Sequence, residues 1–390
     1  MIYLDSNATT QIDPAVLEAM LPFLRDYFAN PSAGYSGGRT ARNAVQRARA
    51  QVAALIGADA DEIVFTSGGT ESINAVHASV RSLWPDKPDL VITGTEHPAV
   101  LESAKRWKEQ GGNVLRAPVH PNGRVDLDAL RQLVQPGRTA LVSIMWANNE
   151  TGVIAPMREI VEIAHAAGAL VHSDAVQAIG KIHLSVHAVP VDFLSLSGHK
   201  FHAPKGVGAL YISHRARFAP LLVGGGQERE RRSGTENVPG IVGLGTAAEL
   251  ARQHLDDGTK ARLHAMRDRF EHLVHAAEPG MRVHGCREHR LHTTSSICLP
   301  EIDAAGMLIL LDKAGIACSA GSACHTAALH PSHVLEAMGV SARDAACTLR
   351  VSFHRFNTKP EAETAAHAII EAAQKMRSMQ GDSFLVTSAV

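Results

Sequence analysis

Val191-Asp192-Phe193-Leu194-Ser195-Leu196 runs directly into Ser197-Gly198-His199-Lys200. The apolar run reads as a buried strand, and the glycine-containing tetrad reads as the irregular segment just past its end. In an open α/β sheet that is where chemistry sits. A lysine held there in a partly desolvated pocket can lose its proton and form a Schiff base. Taken alone, Lys200 has an ordinary alternative as a surface lysine.

Two further strand ends sharpen the reading. Ala169-Leu170-Val171 leads into His172-Ser173-Asp174-Ala175-Val176-Gln177. An acid at one strand end and a lysine at another match the needs of pyridoxal phosphate (PLP), whose ring nitrogen is kept protonated by a carboxylate while a lysine holds the aldehyde. Glu62-Ile63-Val64-Phe65 leads into Thr66-Ser67-Gly68-Gly69-Thr70-Glu71-Ser72, which opens a helix through Ile73, Val76 and Val80. Glycines there allow close backbone approach, and first-turn N–H groups can face a phosphate. The simpler alternative is a helix cap by Ser67 or Thr70.

Around these motifs apolar strands alternate with amphipathic helices. Strands are predicted at 62–66, 90–93, 113–117, 139–145, 169–173, 191–196 and 208–212, and helices at 40–56, 70–83, 98–110 and 157–167. The alternation predicts an α/β fold with a mostly parallel, seven-stranded sheet covered on both faces. Residues 244–275 read as one long helix leading to a smaller α/β domain with strands near 295–299 and 348–353. The expected division is 15–258 for the large domain, and 1–14 with 259–390 for the small one. The tail 380–390 has no clear periodicity and is expected to be loose.

Composition bounds the partners. The chain has 390 residues and a formal net charge of −1, which implies neither nucleic acid nor a membrane surface as a partner. No apolar run is long enough to span a bilayer, and Met1-Ile2-Tyr3-Leu4-Asp5 does not read as a signal peptide. The five cysteines are Cys286, Cys298, Cys318, Cys324 and Cys347. An odd number without a tight framework suits a reducing cytoplasm. Cys324 stands in Ala320-Gly321-Ser322-Ala323-Cys324-His325-Thr326-Ala327, small residues that suit a loop able to carry a thiolate to a bound substrate. The alternative is a small buried hydrophobe. Cys318, after Ile316-Ala317, reads as structural, with a relay to Cys324 as its alternative; the remaining cysteines read as structural. The spacing of His325, His330 and His333 matches no strong ligand motif, so no metal site is expected.

The motifs Thr95-Glu96-His97, Asn148-Asn149-Glu150-Thr151-Gly152, Ser197-Gly198-His199-Lys200, Arg232-Ser233-Gly234-Thr235-Glu236-Asn237 and Gly321-Ser322-Ala323-Cys324 occur in order along the chain. With them the chain resembles the PLP-dependent cysteine desulfurases of the NifS/IscS type, on the class V aminotransferase fold (PLP-dependent transferase fold type I). The resemblance runs from Ile2 to about Phe353. It implies that Lys200 binds PLP and moves the substrate Cα proton. Asp174 would pair with the ring nitrogen, Gln177 would donate to the ring oxygen, and His97 would stack on the ring and exchange a proton with substrate. Gly69, Thr70, Ser197 and His199 would bind the phosphate, and Thr235 would reach the phosphate of a neighbouring subunit, making a homodimer. Arg350 and Asn149 would hold the substrate carboxylate; a structural ion pair is the alternative for Arg350. Cys324 would take sulfur from L-cysteine as a persulfide and pass it to an acceptor protein of the iron–sulfur scaffold or tRNA-thiolation type.

The chain departs from the family at Tyr35, where histidine is usual, at His325, where many relatives have a hydroxyl residue, and in Ser383-Phe384-Leu385-Val386, which does not resemble the tail that docks the iron–sulfur scaffold. Selenocysteine lyase is the alternative activity, and a non-catalytic PLP-fold binding protein a further one. Lys200, Asp174, Arg350 and Cys324 together argue against the latter. A bare transaminase has no use for Cys324.

Overall fold

The computed structural model describes residues 1–320 and 332–387. A seven-stranded sheet organises the first two thirds of the chain. Its strands are β2 (Ile63–Thr66), β3 (Asp89–Thr93), β4 (Asn113–Ala117), β5 (Thr139–Ser143), β6 (Leu170–Asp174), β7 (Phe193–Ser197) and β8 (Gly208–Ile212), in the spatial order β2-β8-β7-β6-β5-β3-β4. Strands β4, β3, β5, β6 and β7 are mutually parallel; β8 runs antiparallel to both β7 and β2. The strands are almost continuously apolar because both faces are covered.

The covering helices are α1 (Pro14–Arg25), α2 (Ser36–Ile56), α3 (Gly69–Leu83), α4 (Pro98–Glu109), α5 (Leu127–Leu133), α6 (Met157–Ala166) and α7 (Val238–His254). One face buries Ile63, Val142, Val171, Leu194 and Leu196 against residues of α2, α6 and α7. The other buries Val64, Leu90, Ile92 and Leu210 against α3 and α4. Helices α2 and α7 meet closely enough that a Cβ on Gly245 would lie 2.5 Å from Ala48 Cα.

The expected long helix over 244–275 is two helices. α7 ends at His254 and α8 (Thr259–Ala277) begins after Gly258, which has φ 87°. Asp257 forms the corner by accepting from His254 Nδ1 at 2.7 Å and from Thr259 N at 2.9 Å. The Asp-Asp-Gly run stops the helix because glycine tolerates the left-handed turn and aspartate binds the freed donors. The tail is also corrected: after the short helices α10 (His333–Ala337) and α11 (Ala342–Ala346), α12 (Lys359–Thr387) continues as helix through most of the region expected to be loose.

The last third packs on a second core. Strands β9 (Arg282–Val283), β10 (Thr294–Cys298), β12 (Ser319–Ala320) and β13 (Thr348–Ser352) form an antiparallel sheet, while β1 (Ile2–Tyr3) pairs in parallel with β11 (Ile316–Ala317). Leu4, Phe270, Ile297, Leu311, Phe353 and Ile369 are buried together, with α8, α9 (Ala304–Lys313) and α12 around them. The amino-terminal segment continues along β13, where Ser352 N donates to Leu4 O at 2.8 Å and Asn7 N donates to Ser352 Oγ at 3.0 Å. It then reaches the carboxyl ends of the large sheet.

The glycine-rich turn at 224–227 leads into left-handed Glu228, Arg229 and Glu230. Glu228 is buried there; it takes both Arg49 Nη atoms at 2.7 Å and Phe65 N at 2.8 Å. The buried bidentate pair holds a backbone conformation that L-residues adopt at a cost.

Candidate active site

A cavity of about 260 Å³ lies beyond the carboxyl ends of the parallel strands. One wall is the start of α3. Its N-cap is Gly68, which supplies no side-chain bond. Capping by Ser67 or Thr70 is therefore not what opens this helix. Instead, first-turn donors of Gly69 and Thr70 adjoin the cavity, the arrangement that favours an anion. The approach is tight: a Cβ on Gly69 would lie 2.8 Å from Val176 Cγ2, and one on Gly208 would lie 2.6 Å from Gly68 Cα. Ser197, at the end of β7, and His199 line the same side. His199 Nδ1 meets Thr9 Oγ1 at 3.0 Å, and burial with the nearby Lys200 and Lys205 brings its pKa down to about 4.

Asp174 ends β6 and Lys200 ends the single turn after β7, on neighbouring parallel strands. Asp174 is buried and accepts from Val176 N at 2.9 Å. Burial raises its pKa, while His97 and Lys200 pull it back. Lys200 Nζ donates to Asn7 O at 2.7 Å and to Ala8 O at 2.8 Å. His97 caps α4 by accepting from Ala99 N at its Nδ1, 3.1 Å away. Burial lowers its pKa, so its resting form is neutral with the proton on Nε2.

The opposite wall comes from remote segments. Arg350, on β13, donates from Nη2 to Asp5 Oδ1 at 2.7 Å and from Nη1 to Asn149 O at 3.2 Å. The ion-pair alternative for Arg350 is thus present, yet the residue also lines the cavity and its buried Nε has no partner among the described residues. Asn149 lines the cavity beside it, and its carbonyl also accepts from Asn7 Nδ2 at 3.0 Å.

Behind these walls stands a buried polar layer. Glu96 accepts from Thr93 Oγ1 at 2.7 Å and from Met145 N, and burial pushes its pKa up to about 8. Glu150, raised to about 7 by burial, accepts from Ser332 Oγ. His333 donates from Nε2 to Glu96 O at 2.9 Å, a use of that ring unrelated to metal. Gln177 lines the cavity and donates from Nε2 to Asn7 O at 2.9 Å.

The structure therefore brings together Gly69, Thr70, His97, Asn149, Asp174, Gln177, Ser197, His199, Lys200 and Arg350 around one cavity. Thr235 is not among its lining residues and is exposed. Cys324, with His325 and His330, lies outside the described residues. Cys318 packs against the second core, and burial pushes its thiol up to about 12, far from an attacking thiolate at neutral pH. Sequence reasoning missed Asp5, Asn7 and Lys181. The first two stand near the amino terminus, and only the fold carries that segment to the lysine. Lys181 follows a glycine with no motif of its own.

The aminotransferase class-V family description matches residues 2–364. The chain is 46% identical over 379 residues to a cysteine desulfurase of a Nostoc species, covering 97% of this chain and 94% of that one. It is 47% identical over 381 residues to a cysteine desulfurase of Gluconacetobacter diazotrophicus, with the same coverage of each. Among solved structures it is similar to a NifS-like protein, with TM-score 0.89 and 39% identity over 95% of this chain and 98% of that one.

Proposed function

The chain belongs to the aminotransferase class-V family, and from that premise we propose that it is a PLP-dependent cysteine desulfurase, converting L-cysteine to L-alanine and placing the sulfur on Cys324. The observation that carries the reading is the meeting of Lys200 and Asp174 at neighbouring strand ends, on one cavity with His97 and Arg350. The cavity suits PLP chemically. It offers an uncapped helix start for a phosphate, a buried carboxylate for a ring N–H and a lysine for an aldehyde. When bound, PLP supplies an electron sink for negative charge at the substrate Cα.

The protein's own groups do the rest. Gly69, Thr70, Ser197 and His199 hold the phosphate, and Thr235 reaches that of the partner subunit in a homodimer. Asp174 would keep the ring nitrogen protonated, Gln177 would donate to the ring oxygen, and His97 would face the ring. Arg350 and Asn149 orient the substrate carboxylate, using the Arg350 Nε that has no partner among the described residues. Lys200 takes the Cα proton. The Cys324 thiolate then forms an S–S bond as the substrate Cβ–S bond breaks; the carbon keeps that electron pair and takes a proton. The products are alanine and a Cys324 persulfide, whose sulfur passes to an acceptor protein for iron–sulfur cluster assembly or another sulfur-containing product. The working unit has a large domain at 15–258 and a small one at 1–14 with 259–390, and acts in the cytoplasm. Among the described residues no helix is long and apolar enough to cross a membrane.

The test is to mix the purified protein with L-cysteine without reductant and measure alanine together with sulfane sulfur on the Cys324 peptide. Equal amounts of both are expected in the wild type, and neither in Cys324→Ala. Alanine formed normally by Cys324→Ala would overturn the assignment. Turnover of selenocysteine alone would move the reading to selenocysteine lyase.

A further inference from the structure

Lys181 is a buried lysine that the proposed chemistry does not use. Its Nζ donates to Gln177 Oε1 at 2.8 Å and to Asn7 Oδ1 at 3.0 Å. Those two amides face the cavity on which Lys200 lies, whereas Lys181 itself does not line it. It lines a second cavity of about 50 Å³ behind, which Lys200 also touches. Ser6 Oγ, His292 Nδ1 and Thr293 Oγ1, from residues that border this rear space, are buried without partners among the described residues. A polar space needs only about 10–15 Å³ to hold a water, so the rear cavity is large enough for waters that satisfy these groups. No carboxylate borders it among the described residues.

Lysine donates but a charged ammonium cannot accept, so the oxygens of both amides must turn toward Lys181. The consequence reaches the front. Gln177 Nε2 points to Asn7 O, the same carbonyl that takes Lys200 Nζ. Asn7 Nδ2 is turned to Asn149 O and Thr294 Oγ1, both at 3.0 Å. One rear ammonium thus sets the polarity of the amides around the reacting lysine.

We propose that Lys181 is a positioning residue: by holding the oxygens of Gln177 and Asn7 it leaves the second Gln177 Nε2 hydrogen to the front cavity and commits the Asn7 amide to Asn149 O and Thr294 Oγ1. This role rests on the PLP reading above. Burial, with Lys200 and Arg350 nearby, brings the Lys181 pKa down to about 7, and in either protonation state its Nζ has hydrogens enough to donate to both amide oxygens. Among the described residues, Lys260, His292, His354 and Arg355 border the same rear space from the last third of the chain, and Lys200, His202 and His254 from the first two thirds.

The experiment is a spectrophotometric pH titration of the cofactor chromophore in the wild-type holoenzyme, Lys181→Met and Lys181→Gln, with cofactor content and Tm measured on each. Losing a donor and a positive charge near an anionic ring oxygen favours the protonated chromophore. The midpoint should therefore rise in Lys181→Met by about one pH unit, a tenfold change in proton affinity, at wild-type cofactor content. Lys181→Gln, which retains an N–H donor, should shift less. A midpoint unchanged in a folded, cofactor-loaded Lys181→Met would overturn the proposal. If that variant does not fold, Lys181→Ala, which also removes the donor and the charge, is titrated in its place, and an unchanged midpoint there would overturn the proposal. A wild-type protein that takes up no cofactor would instead sink the PLP reading, and this role with it.

Discussion

The two walls of the front cavity are built in different ways. The wall with Asp174, Ser197, His199 and Lys200 comes from adjacent strands of one sheet and the turn beyond them, separated by short stretches of chain. The wall with Arg350, Asn149 and Asn7 joins segments far apart in sequence, closed by the Arg350–Asp5 pair across 345 positions. The first wall is positioned by a buried sheet and should tolerate little change. The second is held by a few polar contacts between two cores, so it can be loosened without unfolding either.

The largest test of that contrast is Lys200→Ala. Removing the proton-moving group should lower turnover by at least about 10³-fold, within the 10²–10⁴ range of acid–base contributions, with Tm nearly unchanged. Steady-state alanine release and a thermal melt measure both. Arg350→Lys comes next. Loss of a two-pronged charged contact worth about 1.5–3 kcal/mol should raise KM for L-cysteine by about 10–100-fold and affect kcat less. An equal fall in kcat would show that Arg350 acts beyond substrate orientation. Asp5→Asn should give a smaller rise in KM, about two- to fivefold, because Arg350 keeps its contact with Asn149; an effect as large as that of Arg350→Lys would mean the whole wall depends on Asp5.

The smallest effect tests the buried layer by pH. Burial raises Glu96 from its ordinary 4.5 to about 8. The folded protein therefore keeps a proton that the unfolded chain has already lost. The stability this contributes is fully present below about 4.5 and is lost as pH rises through about 8. Glu96→Gln removes that loss, so its Tm relative to wild type should climb between pH 5 and pH 8. A constant difference would show that Glu96 is ionised in the folded protein.

Much of the first wall was legible because strand ends announce themselves locally. Asp174, Ser197 and Lys200 each follow an apolar run, and Gly68-Gly69 breaks one. Predicted strand and helix limits depart from the observed ones by a few residues. Two departures were larger: the corner at Asp256-Asp257-Gly258, where a helical pattern outlasted its turn signal, and the tail, where weak periodicity hid a helix. The second wall was legible only through family resemblance, because a lone arginine or asparagine carries no sign of what it will face. That resemblance supplied Arg350 and Asn149 but passed over Asp5, Asn7 and Lys181.

By itself the sequence determined the α/β class, the strand ends that bear the chemistry and the place of every cysteine along the chain, since these follow from local patterns of apolar, small and charged side chains. The tertiary structure alone decided that the amino-terminal segment runs along β13 into the site, that Arg350 is shared between Asp5 and the cavity, and that a buried lysine stands behind Gln177. The first two relations join residues 345 positions apart, and the lysine behind Gln177 also reaches Asn7 across 174 positions, so only the folded chain brings them within hydrogen-bond reach.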